Sequence, residues 1–363
     1  MDLELNETQT LLRDTVRQYL EQEVPFDRIR ELEKEHRSDV VLWKAICEQG
    51  WLGVAVGESL GGAGGSLVDL GLVVEAISRR AAIVPILEVA AAAWVIERFA
   101  PQALAQELID GILAGSAVVV PALLEDDDRF DSCATTVDGD ARVEGHKSFV
   151  DHAQTATHHL VRAAGSGGPA LVLVEAQAPG VAVTPLVSVG RTPSARVVYD
   201  AAQGRVLAEG EEPLAALLRV GRALAALQVA GSMAQSLDGA VEYAKVREQF
   251  GKPIGSFQAV RHHCANMASR VASARLLAFE ALSQIDAGRP ADRIVASAKA
   301  SASRAAPEVT MLAHQVFGGN GVIEENDHYF FTLRARERAS AWGTVDECLA
   351  VLAADIRADN DWL

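Results

Sequence analysis

The hydrophobic pattern of this chain changes its period twice. From residue 1 to about 117 it is helical: Asn6, with Gln9 three residues on, has the form of a capping box, and Leu12, Val16 and Tyr19 follow at helical spacing. From about 118 to 210 it turns to short β-branched runs bounded by Gly and Pro: Val118-Val119-Val120, Leu171-Val172-Leu173-Val174 and Arg196-Val197-Val198-Tyr199. Asp138-Gly139, flanked by Thr135-Thr136-Val137 and Ala141-Arg142-Val143, predicts a hairpin. From 211 the helical period returns. Val229, Met233, Leu237 and Val241 recur every four residues, which makes the methionine a core residue rather than a ligand. A second long helix is expected from about Phe257 to Ala287 and a third from near Arg293, with Pro307 kinking or restarting it. The glycines of Gly61-Gly62-Ala63-Gly64-Gly65 read as a tight loop between helices. No strand precedes them and no Gly-Lys-Ser/Thr follows, so they do not form a phosphate cradle.

Composition narrows the class. With 363 residues, 49% of them hydrophobic and 23% charged, the chain has material for two or three cooperating globular domains. No run of about 18 uncharged apolar residues marks a membrane span, and Met1-Asp2-Leu3-Glu4 lacks the basic start of a secretory leader. Cys47, Cys133, Cys264 and Cys348 are far apart, without metal-ligand spacing, and are expected as free buried thiols in a reducing cytoplasm. A net charge of −16 argues against nucleic acid, which needs a basic footprint. His262 and His263 point about 100° apart on a helix and would not chelate together. Asp126-Asp127-Asp128 reads as a solvated acidic loop. No metal is expected.

Four stretches carry a more specific signal. They are Gly50-Trp51-Leu52-Gly53, then Tyr243-Ala244-Lys245-Val246-Arg247-Glu248-Gln249-Phe250-Gly251-Lys252-Pro253-Ile254 running to Phe257-Gln258, then His314-Gln315-Val316-Phe317-Gly318-Gly319-Asn320-Gly321, then Trp342-Gly343-Thr344. Together they resemble the acyl-CoA dehydrogenase family over almost the whole chain. The resemblance implies an α+β fold in three parts: an N-terminal helical domain (1–117), a small central β domain (118–210) and a C-terminal four-helix-bundle domain (211–363). It also implies an FAD shared across a subunit interface. Arg247 would meet the pyrophosphate of a neighbour's FAD with Gln249 and Phe250 beside it, and Gln315, Gly318 and Gly319 would wrap its adenosine. Arginine's planar fork suits phosphate, and glycine permits close backbone approach.

Where the family places its catalytic glutamate, this chain has Trp342, and an indole can only donate. The other position at which some members carry the base falls on Gly221, next to Arg222, which matches an arginine usual in the family. In the β domain, Ala122-Leu123-Leu124-Glu125-Asp126-Asp127-Asp128 stands where the family has hydroxyls and a glycine that receive the flavin ring. Lys147-Ser148-Phe149-Val150-Asp151 ends in a carboxylate instead of a hydroxyl. No catalytic residue is therefore assigned to this chain. In the segment Gly145-His146-Lys147-Ser148-Phe149-Val150-Asp151-His152-Ala153 and around His328-Tyr329-Phe330-Phe331 the chain resembles the base-less subunit of the heteromeric α2β2 enzymes with which actinobacteria shorten steroid side chains. This resemblance implies a sister subunit in a heterotetramer, an acyl-CoA substrate, and an electron-transfer flavoprotein or similar acceptor. Two alternatives remain: an active homotetramer with its base moved to Asp346 or Glu347, and a flavin-free subunit that binds CoA esters or only a partner.

Overall fold

The computed structural model describes residues 4–358, so Met1-Asp2-Leu3, on which the leader expectation rests, lie outside the described residues. Six helices come first: α1 (Glu7–Glu23), α2 (Phe26–Lys34), α3 (Val40–Glu48), α4 (Leu67–Arg79), α5 (Ile86–Phe99) and α6 (Gln102–Leu113). Their starts are written in the sequence. Asn6 Oδ1 accepts from the Gln9 amide at 2.8 Å while Gln9 Oε1 accepts from the Asn6 amide at 3.2 Å, the reciprocal box anticipated for α1. Asp39 caps α3 through the Leu42 amide at 2.8 Å, and Ser66 and Asp69 exchange backbone and side-chain bonds ahead of α4. The 61–65 glycines form a loop folded back on the preceding turn, with Gly64 and Gly65 amides donating to Val56 and Val54 carbonyls.

Seven strands follow: β1 (Val119–Ala122), β2 (Thr136–Val137), β3 (Arg142–Asp151), β4 (His158–Gly165), β5 (Gly168–Glu175), β6 (Val181–Leu186) and β7 (Ser194–Glu209). Strand order β1-β4-β2-β3-β7-β5, with β5 also pairing β4, closes the sheet on itself, while β6 pairs the first half of β7. Closure gives β3, β4, β5 and β7 partners on both sides and leaves β1 and β6 at the margins. The Asp138-Gly139 hairpin forms between β2 and β3. Asp138 Oδ1 accepts from the Asp140 and Arg142 amides, and Ala141 sits at φ 61.

Helices then return as α7 (Glu211–Val246), which leads into a two-stranded hairpin of β8 (Glu248–Gln249) and β9 (Lys252–Pro253). After it come α8 (Gln258–Asp286), α9 (Asp292–Phe317), α10 (His328–Ser340) and α11 (Val345–Ala358). Val229 and Met233 are fully buried, as expected of a core repeat on α7, while Leu237 and Val241 farther along it are only half-buried. Pro307 neither ends nor restarts a helix: α9 runs through it without interruption. The missing donor is local, and helical bonds on either side carry the element across it. α7 is long and apolar enough to cross a membrane, against the sequence expectation, but 78% of its most apolar window is buried in the protein, as a core helix would be. Cys47 and Cys348 are buried; Cys133 and Cys264 are only half-buried, which corrects the expectation for those two.

The residues group into two compact units. One comprises the chain up to Arg30, Gly71–Ala82 and everything from Arg222, and is here the helical unit. The other comprises Glu31–Leu70 and Ile83–Gly221, and is here the β unit.

Candidate functional site

In the helical unit, position 342 is held by cations from distant parts of the chain. α10 ends at Ser340, and the turn Ala341–Thr344 precedes α11. Trp342 is 8% exposed and has φ 61, a left-handed conformation that costs a bulky residue of order 1–3 kcal/mol. Its carbonyl accepts from Arg222 Nε at 3.0 Å. Gly343 follows at φ 120, and a Cβ there would lie 3.1 Å from the same Nε, so glycine is needed on both counts. Beneath the turn lies Lys299 of α9, fully buried, with its three donors placed on Ser303 Oγ (2.9 Å), the Ala339 carbonyl (2.8 Å) and the Gly343 carbonyl (2.8 Å). Ser303 Oγ also donates to Ala339. Burial, the dominant influence, pushes the Lys299 ammonium down to about 8; Cys348 and Glu347 act against this and Arg222 with it.

The two carboxylates nearest in sequence are not offered as bases. Glu347 Oε2 accepts from the Thr344 amide (2.7 Å) and hydroxyl (3.0 Å), and Thr344 Oγ1 accepts from the Glu347 amide. That reciprocal box caps α11 and commits the carboxylate to structure. Asp346 is exposed on the first turn of the same helix. Gly221, the other base position, is a buried residue of α7.

The motif residues of the same unit cluster at the ends of α7 and α9. The Tyr243 and Phe317 rings meet at 5.0 Å and both line a cavity of about 560 Å³, together with Val246, Asn320 and His328. Arg247 follows Val246 directly and is exposed, with no side-chain partner among the described residues. Gln249 donates to the Glu248 carbonyl, and Phe250, 93% exposed at φ 55, packs edge-on to Phe257. Gln315, Gly318 and Gly319 are exposed. Gly318 has φ 60, and a Cβ on either glycine would meet no atom of this chain within 4 Å. Phosphate-binding chemistry and open space coincide here, and these residues fit the outer half of an FAD.

The β unit does not fit the flavin ring. The loop after β1 is occupied by its own acids. Glu125, 7% exposed, accepts from the Ala134 amide, the Thr135 amide and hydroxyl, and buried Lys147 Nζ at 2.9 Å. Burial alone would raise its pKa, but these donors outweigh it and hold the carboxyl far below its ordinary range. Asp126 accepts from Ser148 Oγ at 2.5 Å and Arg196 Nη1 at 2.7 Å, with His146 Nε2 at 3.2 Å, and is lowered first by the Ser148 bond. The hydroxyl of β3 is thus spent on Asp126. Phe149 is strained at φ 57 and 52% exposed. Among the described residues no group of three or more His, Cys, Asp or Glu is placed to hold a metal.

Sequence reasoning missed Lys299, Ser303 and the Thr344–Glu347 box. The first had a visible signal: Lys299 stands in the apolar stripe of an alanine-rich helix, with Val295, Ala296, Ala302 and Ala306 buried around its period.

Comparison with known proteins agrees with this architecture. A family model for the acyl-CoA dehydrogenase N-terminal domain matches residues 6–116, and one for the acyl-CoA dehydrogenase C-terminal domain matches residues 210–355. Over 332 residues the chain is 32% identical to acyl-CoA dehydrogenase FadE27 of Mycobacterium tuberculosis, covering 86% of this chain and 87% of that one. It superposes on a chain of the ChsE4-ChsE5 complex from Mycobacterium tuberculosis with a TM-score of 0.91 at 29% identity, covering 98% and 99% of the two chains. A variant of the Tcur3481-Tcur3483 steroid ACAD gives 0.92 at 30% identity over 97% and 98%. With an α+β fold, both terminal domains matched and a relative aligned along most of its length, the chain belongs to the acyl-CoA dehydrogenase family.

Proposed function

We propose that this chain is the base-less subunit of a heteromeric acyl-CoA dehydrogenase, organised as domains 1–117, 118–210 and 211–363. Its Arg247, Gln249, Phe250, Gln315, Gly318 and Gly319 complete the FAD site of a sister subunit. One observation carries the reading: position 342, built with great care by Lys299 and Arg222, presents an indole, and the neighbouring Glu347 is committed to a helix cap. Dehydrogenation of an acyl-CoA requires a base at Cα, and this turn has none to give. Bound FAD supplies the hydride acceptor. This chain's part is electrostatic: Arg247 holds a diphosphate with its fork, and the glycines after α9 let backbone amides approach.

The self-bonded acids of the β unit support the same division of labour, since Asp126 occupies Ser148, and Asp151, where the resemblance expects a hydroxyl, is an acceptor-only carboxylate that disfavours a reduced, anionic ring. Similarity to chains of two-component assemblies supports a sister chain, and the steroid ACAD supports a steroid side-chain acyl-CoA as substrate. A cytoplasmic location and an electron-transfer flavoprotein as acceptor accompany the proposal.

The test is to purify the chain alone and co-expressed with a candidate sister chain carrying the glutamate. Flavin content and turnover are then measured over a panel of acyl-CoAs. The proposal expects flavin and activity only in the complex. General-base catalysis contributes roughly 10²–10⁴-fold, so its absence in the single chain will be plain. Robust turnover by the single chain would establish the homotetramer, and absence of flavin in both preparations would establish a scaffold.

A further inference from the structure

Arg162 lies on β4, 7% exposed, and its Nε and Nη1 are buried without a hydrogen-bond partner among the described residues. Arginine cannot escape burial by losing its proton. Leaving such an ion without hydrogen-bond partners is strongly unfavourable.

The chain carries carboxylates close by, but those with resolved contacts are committed elsewhere. Asp131, close enough to feel Arg162 electrostatically, is forked onto Arg129 through Nε and Nη2. Glu125 is held by Ala134, Thr135 and Lys147. Asp126 is held by Ser148 and Arg196, and Asp127 by Ser132 Oγ at 2.5 Å. The backbone under Arg162 is also fixed, its carbonyl accepting from Cys133 Sγ at 3.6 Å. These acids are hydrogen-bonded to other partners, and Arg162 Nε and Nη1 receive none of them.

We propose that Arg162 anchors an oxyanion-binding site in the β unit, taking a phosphate or carboxylate group of a ligand from outside the chain. Nη2 is the nitrogen not sealed among the orphaned buried atoms. An oxyanion entering there bonds Nη2, and pairs it with Nε or Nη1 in a fork once the side chains that seal those nitrogens yield. Arg162 belongs to the β unit, and Arg247, to which the diphosphate contact is assigned, to the helical unit.

The experiment uses the full chain, with its sister chain if one co-purifies. Thermal stability and calorimetric binding are measured with inorganic phosphate, ADP and succinate, against sodium chloride at equal ionic strength. Wild type, Arg162→Met, Arg162→Gln and Arg247→Ala are compared. The expected result is a saturable rise in stability with at least one of the three oxyanions. It is retained in Arg247→Ala and weakened roughly ten- to a hundredfold in the Arg162 variants, the loss expected for one charge-assisted fork. Phosphate acting as well as ADP identifies a free ion, ADP acting far better identifies a nucleotide phosphate, and succinate alone identifies a carboxylate. Arg162→Met, relieved of buried nitrogens without hydrogen-bond partners, should be at least as stable as wild type in chloride. The proposal is overturned if no oxyanion acts beyond chloride, or if the Arg162 variants respond as wild type does. Loss of the response in Arg247→Ala alone would assign it to the FAD motif instead.

Discussion

Replacing Lys299 by Met isolates the contribution of the buried ammonium under the Trp342 turn. Its pKa falls from an ordinary 10.5 to about 8 because burial penalises the charge. At 1.36 kcal/mol per tenfold change in proton affinity, that drop is a penalty of about 3 kcal/mol wherever lysine is charged in both folded and unfolded states. Below pH 8 the full penalty applies. Between 8 and 10.5 the folded chain has released the proton and the unfolded chain still holds it, so stability rises with pH. Met fills the space but leaves the Gly343 carbonyl without its donor, whereas Ala339 keeps Ser303. An orphaned buried acceptor costs about 1–3 kcal/mol, so the two effects nearly offset at pH 7. Urea unfolding of both proteins at pH 7, 8, 9 and 10 tests this. Other titrating groups cancel in the difference, and wild type should gain about 2–3 kcal/mol on the variant by pH 10. Parallel curves across that range would refute the reasoning and show that the Lys299 proton is bound equally in both states.

Arg247→Ala should lower FAD affinity of the assembled complex by roughly ten- to a hundredfold while sedimentation shows the complex intact, since one charge-assisted fork is lost; unchanged flavin content would make the motif structural. Gln315→Ala should do the same more weakly, and Arg247→Lys should substitute poorly because it lacks the fork. Trp342→Glu in the single chain should yield no efficient dehydrogenase, because Asp151 still stands in the β unit where the flavin's hydroxyl partner is expected. Turnover near that of ordinary family members would show that the ring is held in this chain after all.

Local chemistry made much of this protein legible before any coordinates. The Asn6–Gln9 box, the Asp138 hairpin and the four-residue stripe on α7 are short-range signals, fixed by spacing and by which side chains satisfy nearby amides. The family motifs were equally plain, because they are contiguous. Tertiary structure decided what depends on distant partners. Pro307 reads as a kink or a restart, yet α9 spans it without restarting, between α8, α10 and α11. Glu347 reads as a candidate base until its bonds to Thr344 are seen. Lys299 serves carbonyls 40 and 44 residues away, and the acids after β1 are consumed by Lys147, Ser148 and Arg196. Only when the chain brings these groups together does it emerge which polar groups are paired, and that Arg162 Nε and Nη1 have no hydrogen-bond partner among the described residues. Periodicity records which face of a segment is buried, whereas pairing depends on what the fold places opposite it.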